Sequence, residues 1–282
     1  MSLAPGLLKL TRFPLVFTAM ADSAAGYLIC GGAAGGHLAL VAIVSALLYS
    51  AGMVFNDIAD RERDRTLHPE RPLPSGRVTP RSALTLGAVL LGLAVAGAAI
   101  LGLRTALATF GLIVLILGYD FVAKRSRVAG AAAMALVRGL NLGLGALVVL
   151  SGPLPWGAMV VLAAYVFLLT LWSTYEETAG GKALLAPLGA GIVLAPGAGI
   201  FLQGGVGAWT YFVPVAWMLP WVGRAVLHPG RERMIQVVRW GVLGIILIDA
   251  AFVASSGRWL AGLAVAALLA PALALLPAFR KL

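Results

Sequence analysis

The chain has 282 residues, 61% of them hydrophobic and only 11% charged, with a formal net charge of +10; a soluble domain carries roughly 25% charged residues. Together with a mean hydropathy of +0.97, this excludes a water-soluble globular protein and makes the apolar span of about 20 residues the unit to count. A single cysteine, Cys30, excludes an internal disulfide and a cysteine-based metal site.

Ten apolar segments follow in chain order, near 12–31, 37–57, 81–103, 105–122, 130–150, 157–175, 183–202, 209–227, 234–254 and 259–277. They predict an all-α fold, a polytopic transmembrane helical bundle of nine to ten helices forming one domain over 1–282. Lys9 and Arg12 ahead of Phe13–Met20 imitate a secretory signal, but apolar character continues to Cys30 and reads as a first span. The 35 glycines would weaken a soluble helix; in lipid, small residues let helix backbones approach closely.

Alternate loops sort the basic residues unevenly: eighteen Lys and Arg fall on one side, only Arg104 and Arg258 on the other, and Arg138 lies inside a span. The positive-inside rule makes the basic side cytoplasmic, with the chain in the cell (inner) membrane and cap loops near 58–80, 123–129, 176–183 and 228–233. Those loops beside anionic lipid account for the net charge without nucleic acid, and they attract a phosphate-bearing substrate.

The longest polar stretch follows the second segment and runs Asn56-Asp57-Ile58-Ala59-Asp60-Arg61-Glu62-Arg63-Asp64, then Arg71-Pro72-Leu73-Pro74-Ser75-Gly76-Arg77. Asp57, Asp60 and Asp64 are three and four residues apart, so on a helix they project from one face while Glu62 points away. Crowded carboxylates repel unless a cation sits among them, and hard oxygen ligands suit magnesium, which favours substrate phosphates. The plainer alternative is a solvated helix end whose acids pair with Arg61, Arg63 and Arg65.

Asn-Asp-x-x-Asp-x-x-x-Asp followed by Arg-Pro-Leu-Pro-Ser-Gly resembles the first motif of the UbiA superfamily of intramembrane prenyltransferases, at the place that family has it. The resemblance implies that these acids bind, through Mg2+, the diphosphate of an isoprenoid substrate. It also implies a core of nine spans; the basic Arg280-Lys281 end and the hydropathy suggest a tenth. A second cluster, Tyr119, Asp120, Lys124, Arg125 and Arg127, resembles the family's tyrosine-then-Lys-Arg loop. Cations there can hold the diphosphate and stabilise charge on the leaving group. By itself the cluster also fits ordinary anchoring at a membrane surface.

The family's second acidic motif belongs after the sixth span, where this chain has Ser173-Thr174-Tyr175-Glu176-Glu177-Thr178-Ala179-Gly180-Gly181-Lys182. Two adjacent glutamates replace a pair of aspartates four apart, and adjacent helical residues diverge by about 100°. One of them is expected to face the site; Glu177 is preferred because Ser173 lies one turn earlier, with Glu176 the alternative. Either the longer carboxylate reaches the metal or Lys182 replaces part of its charge. The Tyr-Glu-Glu-x-x-Gly-Gly-Lys variant resembles the EboC-like bacterial branch, whose link to cyclitol metabolism implies a polyol hydroxyl acceptor beside the family's aromatic one.

Asp22, Arg138 and Asp249 lie within spans, where ionisable groups are costly and usually functional or paired. Arg138 and Asn141 form one polar stripe able to reach a diphosphate or hold an acceptor. Asp22 suits a base for the acceptor or a helix–helix hydrogen bond, and Asp249 the latter. Arg12, ahead of Pro14, resembles an N-terminal arginine common in the family. His37, His68 and His228 lack zinc-ligand spacing.

The expected function is transfer of an isoprenoid chain from a prenyl diphosphate to a small polar acceptor, with membrane lipid as the surroundings and the oligomeric state open. Tyr119 would face the allylic cation. Two other functions stay open: transport of a polar metabolite, which leaves the acidic run unexplained, and a non-catalytic relative that only binds a prenyl lipid.

Overall fold

The computed structural model describes residues 3–149, 153–175, 182–203 and 207–281, and these are helical with no strand. The helices are α1 (Leu3–Leu10), α2 (Val16–Ile29), α3 (Gly36–Ala59), α4 (Arg61–Leu67), α5 (Pro80–Leu101), α6 (Leu103–Phe121) and α7 (Arg127–Val149). They continue with α8 (Trp156–Ser173), α9 (Lys182–Leu194), α10 (Gly199–Gln203), α11 (Phe212–Leu227), α12 (Arg231–Ser255), α13 (Trp259–Ala266) and α14 (Leu269–Lys281).

Eight helical stretches among the described residues are long and apolar enough to cross a membrane. The segments near 12–31 and 209–227 are shorter helices, α2 and α11, each entered through a 3-10 turn, Phe13–Leu15 and Ala208–Tyr211. Counting these two, the bundle carries the ten apolar segments of the sequence. α12 is its axis, with 72% of its apolar window buried, whereas α5 has 22% and the α13–α14 stretch 17%. The outer helices present Ile100, Leu103, Leu107 and Phe110 outward, the surface that lipid solvates.

Two cores flank α12. Leu162, Tyr165, Trp172, Ile192, Met218 and Phe252 fill one, among α7, α8, α9, α11 and α12. Val41, Leu48, Ala94, Leu112, Leu243 and Ile246 fill the other, between α2, α3, α5, α6 and α12. A third, small core of Leu10, Val54, Leu73, Val78 and Ala83 pins the 68–79 loop against α1, α3 and α5.

The α2–α7 crossing is closer than side chains permit. A Cβ on Gly26 would meet the Leu142 carbonyl, and one on Gly145 the Ser23 carbonyl. Only glycine fits there, and the close approach brings Asp22 to Arg138 and Asn141. Just past the C-terminal end of α2, Arg258 donates to the carbonyls of Leu28 (2.6 Å) and Gly32 (2.7 Å), tying that turn to the loop before α13.

Candidate active site

The acidic run forms a nearly continuous helix across the α3–α4 joint. Asp60 (φ −88°, ψ 0°) is the joint, yet its N–H donates to Asn56 O (2.9 Å) and the Asp64 N–H donates to Asp60 O (2.8 Å). At about 100° per residue, Asp57 and Asp64 stand two turns apart on one line while Asp60 lies about 60° round the helix.

Each of the three carboxylates is held by a cation from a different element. Asp57 accepts from Arg12 (3.3 Å), Asp64 from Arg71 (2.6 Å) and Asp60 from Lys124 (2.8 Å). Asp57 and Asp64 lie close enough to repel one another, and Asp60 interacts in the same way with Asp120 instead. Arg65 pairs with Glu62. Among the described residues no three acidic or imidazole side chains form a ready metal cluster. The donor chemistry still fits a divalent cation: hard carboxylate oxygens, each now neutralised by a cationic side chain, suit magnesium.

The cations arrive from separate elements. Arg12 sits between α1 and α2 at φ 46°, the single non-glycine residue with positive φ among the described residues, a strained conformation that turns the chain toward Asp57. Arg71 is placed by the Arg-Pro-Leu-Pro-Ser-Gly stretch: Ser75 Oγ donates to Arg71 O (2.7 Å), the Val78 N–H to Pro72 O (3.0 Å), and Gly76 turns at φ 74°. Lys124 lies in the 3-10 turn Ala123–Arg125, which packs so tightly on α7 that a Cβ on Gly130 would stand 3.1 Å from Lys124 Cα.

Two cavities meet at this face. A solvent-open cleft of about 560 Å³ is lined by Arg12, Asn56, Asp60, Lys124 and Arg125 among others. Behind it a narrow apolar cavity of about 80 Å³ runs between Leu48, Leu112 and Ile116, reaching Ser45, Arg138 and Asn141. Met53, Tyr119, Asp120 and Met134 line both, so they stand at the boundary between the two. Asn56 Nδ2 donates to Asp120 Oδ1 (3.0 Å) and its backbone carbonyl accepts from Lys124 Nζ (3.5 Å), tying α3 to α6 at that boundary. A third cleft, about 270 Å³, holds Asp57 with Lys9, Arg12 and Arg71.

The intramembrane polar groups form one cluster. Asp22 accepts from Arg138 Nη2 and Asn141 Nδ2, both at 3.0 Å, and Ser45 Oγ donates to Asn141 Oδ1 (2.8 Å). Asp22 is fully buried and linked to helix α7, which is the helix–helix role rather than an open base. Arg138 is tied to it and does not reach the acids of the cleft.

Glu176 and Glu177 lie outside the described residues, as does the side chain of Lys182. Ser173 ends α8 with its Oγ donating to Thr170 O (2.7 Å). Tyr175, just before the glutamates, lies under the Arg127 guanidinium, 5.4 Å from ring centroid to carbon. Sequence reasoning gave Asp120 and Arg71 no role of their own; proximity to Tyr119 and the Pro-rich turn were the signals.

The UbiA prenyltransferase family profile matches residues 15–241. Digeranylgeranylglyceryl phosphate synthase from Halobacterium salinarum is 35% identical over 182 residues, 63% of this chain and 65% of that protein, so the chain spans less than two thirds of that relative's length. 4-Hydroxybenzoate octaprenyltransferase from Pseudomonas putida is 41% identical over 78 residues, 27% of this chain and 26% of that protein. A UbiA homologue from Archaeoglobus fulgidus, solved bound to DMAPP and Mg2+, superposes with a TM-score of 0.63 at 18% identity, covering 93% of this chain and 99% of its own. A helical bundle with an acidic and basic cleft at one end of its helices and a family profile over most of its length place this chain in the UbiA prenyltransferase family.

Proposed function

We propose that this chain is an intramembrane prenyltransferase, moving an isoprenoid chain from a prenyl diphosphate to a small polar acceptor, an aromatic ring or a cyclitol-type hydroxyl. The observation that carries it is a charged cleft and an apolar cavity set side by side, with Met53, Tyr119, Asp120 and Met134 lining both. A prenyl diphosphate has the same two-part character, and it would lie with its reacting carbon at the junction. The DMAPP- and Mg2+-bound Archaeoglobus relative supports the same substrate class.

Magnesium held by Asp57, Asp60 and Asp64, with Glu177 or Glu176, would supply positive charge against the diphosphate. Lys124 and Arg125 hold the leaving diphosphate as the carbon–oxygen bond breaks, with Arg12 beside them. The Tyr119 ring faces the allylic carbon, and Leu48, Leu112 and Ile116 keep water from it. Arg138 and Asn141 give the far end of the cavity its polar surface. The excess of basic residues in the loops on the cleft's side supports a cytoplasmic position for it, in the cell membrane.

The test is inorganic diphosphate release from geranyl diphosphate by purified protein, with and without Mg2+, across hydroxyl and aromatic acceptors. Metal-dependent release is expected. No release with any acceptor would favour transport or mere lipid binding.

A further inference from the structure

Asp120 stands where the proposed reaction has to happen. It is 3% exposed and lines both the charged cleft and the apolar cavity. A diphosphate in the cleft and a chain in the cavity leave the bond between them, carbon 1 to oxygen, at that boundary. Asn56 Nδ2 holds Asp120 Oδ1 at 3.0 Å and so fixes the carboxylate plane. Its other oxygen, Oδ2, is buried with no hydrogen-bond partner. An unpaired carboxylate oxygen in such a place is costly and calls for a donor from outside the protein. Lys124, which lines the same cleft, is engaged by Asp60 at 2.8 Å and by the Asn56 carbonyl.

On the prenyltransferase function just described, we propose that Asp120 Oδ2 is the proton acceptor for a hydroxyl-bearing acceptor substrate. The carbon–oxygen bond of the prenyl diphosphate breaks heterolytically, and both electrons leave with the diphosphate oxygen. A lone pair of the acceptor hydroxyl forms the new bond to carbon 1. The hydroxyl proton passes to Asp120 Oδ2 and from there to water in the cleft. Asn56 is a positioning residue: its bond to Oδ1 fixes the carboxylate at the boundary of cleft and cavity and leaves Oδ2 for the acceptor.

This role separates two events that a metal-binding role joins. Ionisation of the substrate does not need Asp120, whereas capture of the cation does. Geranyl diphosphate carrying 18O in its bridging position reports ionisation, because return of the diphosphate scrambles the label. Capture is read as geraniol, from water, and geranyl glycerol ether, with glycerol supplied as the hydroxyl probe. In Asp120→Asn, scrambling is expected to stay within about 3-fold of the unmodified protein while capture falls about 100-fold or more, the range of a lost general base. Asp120→Glu should recover part of the capture, and Asn56→Ala should lower capture without abolishing scrambling.

Equal loss of scrambling and capture in Asp120→Asn, with a higher Mg2+ concentration needed for half-maximal scrambling, would make Asp120 a metal ligand and overturn the proposal. Unchanged capture would overturn it as well. If Asp120→Asn fails to fold, Asp120→Glu decides by the same ratio of capture to scrambling. Unmodified protein that neither scrambles nor releases diphosphate would remove the prenyltransferase function itself, a failure visible before any variant is made.

Discussion

Replacing Asp22 with leucine, in a protein already carrying Asp249→Asn, tests whether the buried cluster is an ion pair. Asp22 is fully buried and receives 3.0 Å bonds from Arg138 and Asn141, whose side chains lie on the facing helix. Asp249, also fully buried, abuts Asp22 and is the one group able to take its place, hence the background change. Two interhelical hydrogen bonds in a membrane protein are together worth about 1 kcal/mol. Leaving the Arg138 guanidinium buried without its partner costs far more, about 3–5 kcal/mol. The expected loss is therefore about 4 kcal/mol, dominated by the stranded charge. Arg138→Met added to the same protein should recover most of it, since no charge is then left unpaired. Reversible unfolding in mixed detergent, run as a double-mutant cycle, measures both terms. A loss near 1 kcal/mol, or no recovery in the double variant, would show that the cluster is held by hydrogen bonds alone and that Asp22 carries no pairing charge.

Asp60→Ala should abolish Mg2+-dependent diphosphate release while leaving folding intact, because Asp60 is partly exposed and Lys124 turns to solvent; release at the unmodified rate would refute its place in the site. Chelation with EDTA should stop release, and Mg2+ should restore it. Lys124→Ala should lower kcat/KM for geranyl diphosphate about 100-fold, the usual loss for a donor aimed at developing negative charge, with Arg104→Ala on the far side as the unaffected control. Gly145→Ala should destabilise the bundle by about 1–3 kcal/mol, or more, because its Cβ runs into a backbone carbonyl rather than a movable side chain; detergent unfolding reads it.

Most of the bundle is legible in the sequence, because an apolar run long enough to cross a bilayer can satisfy its backbone only as a helix. The segments near 12–31 and 209–227 were found as spans, yet their ends are 3-10 turns carrying Pro14 and Trp209, details that hydropathy does not encode. Arg138 and Asn141 were readable as one stripe from their spacing. Their partner was not, since Asp22 lies 116 residues from Arg138 and is brought to it by Gly26 and Gly145. Asp57, Asp60 and Asp64 were identifiable from pattern, but their separation follows from a 60° offset together with cations from three different elements. No spacing rule names Arg12, Arg71 and Lys124 as their respective partners.

Those pairings bear on how a charged site is kept at a membrane surface. Asp57 and Asp64 are buried, and a bare carboxylate there would be costly to keep ionised. Arg12 and Arg71 offset part of that cost before any substrate is present. Under the proposed function, a diphosphate brings negative oxygens to the same cations while its accompanying divalent charge comes to the carboxylates. Lys124 then passes from Asp60 to a phosphate oxygen, and each group leaves one ion pair for another. No charge is stranded on either side of that exchange, so the site is stable alone and still able to bind. Asp120 is the exception, since its Oδ2 has no partner to exchange. A group built outside the pairing scheme, at the point where the substrate's polar and apolar halves join, is the one best placed to take up a proton rather than hold a charge.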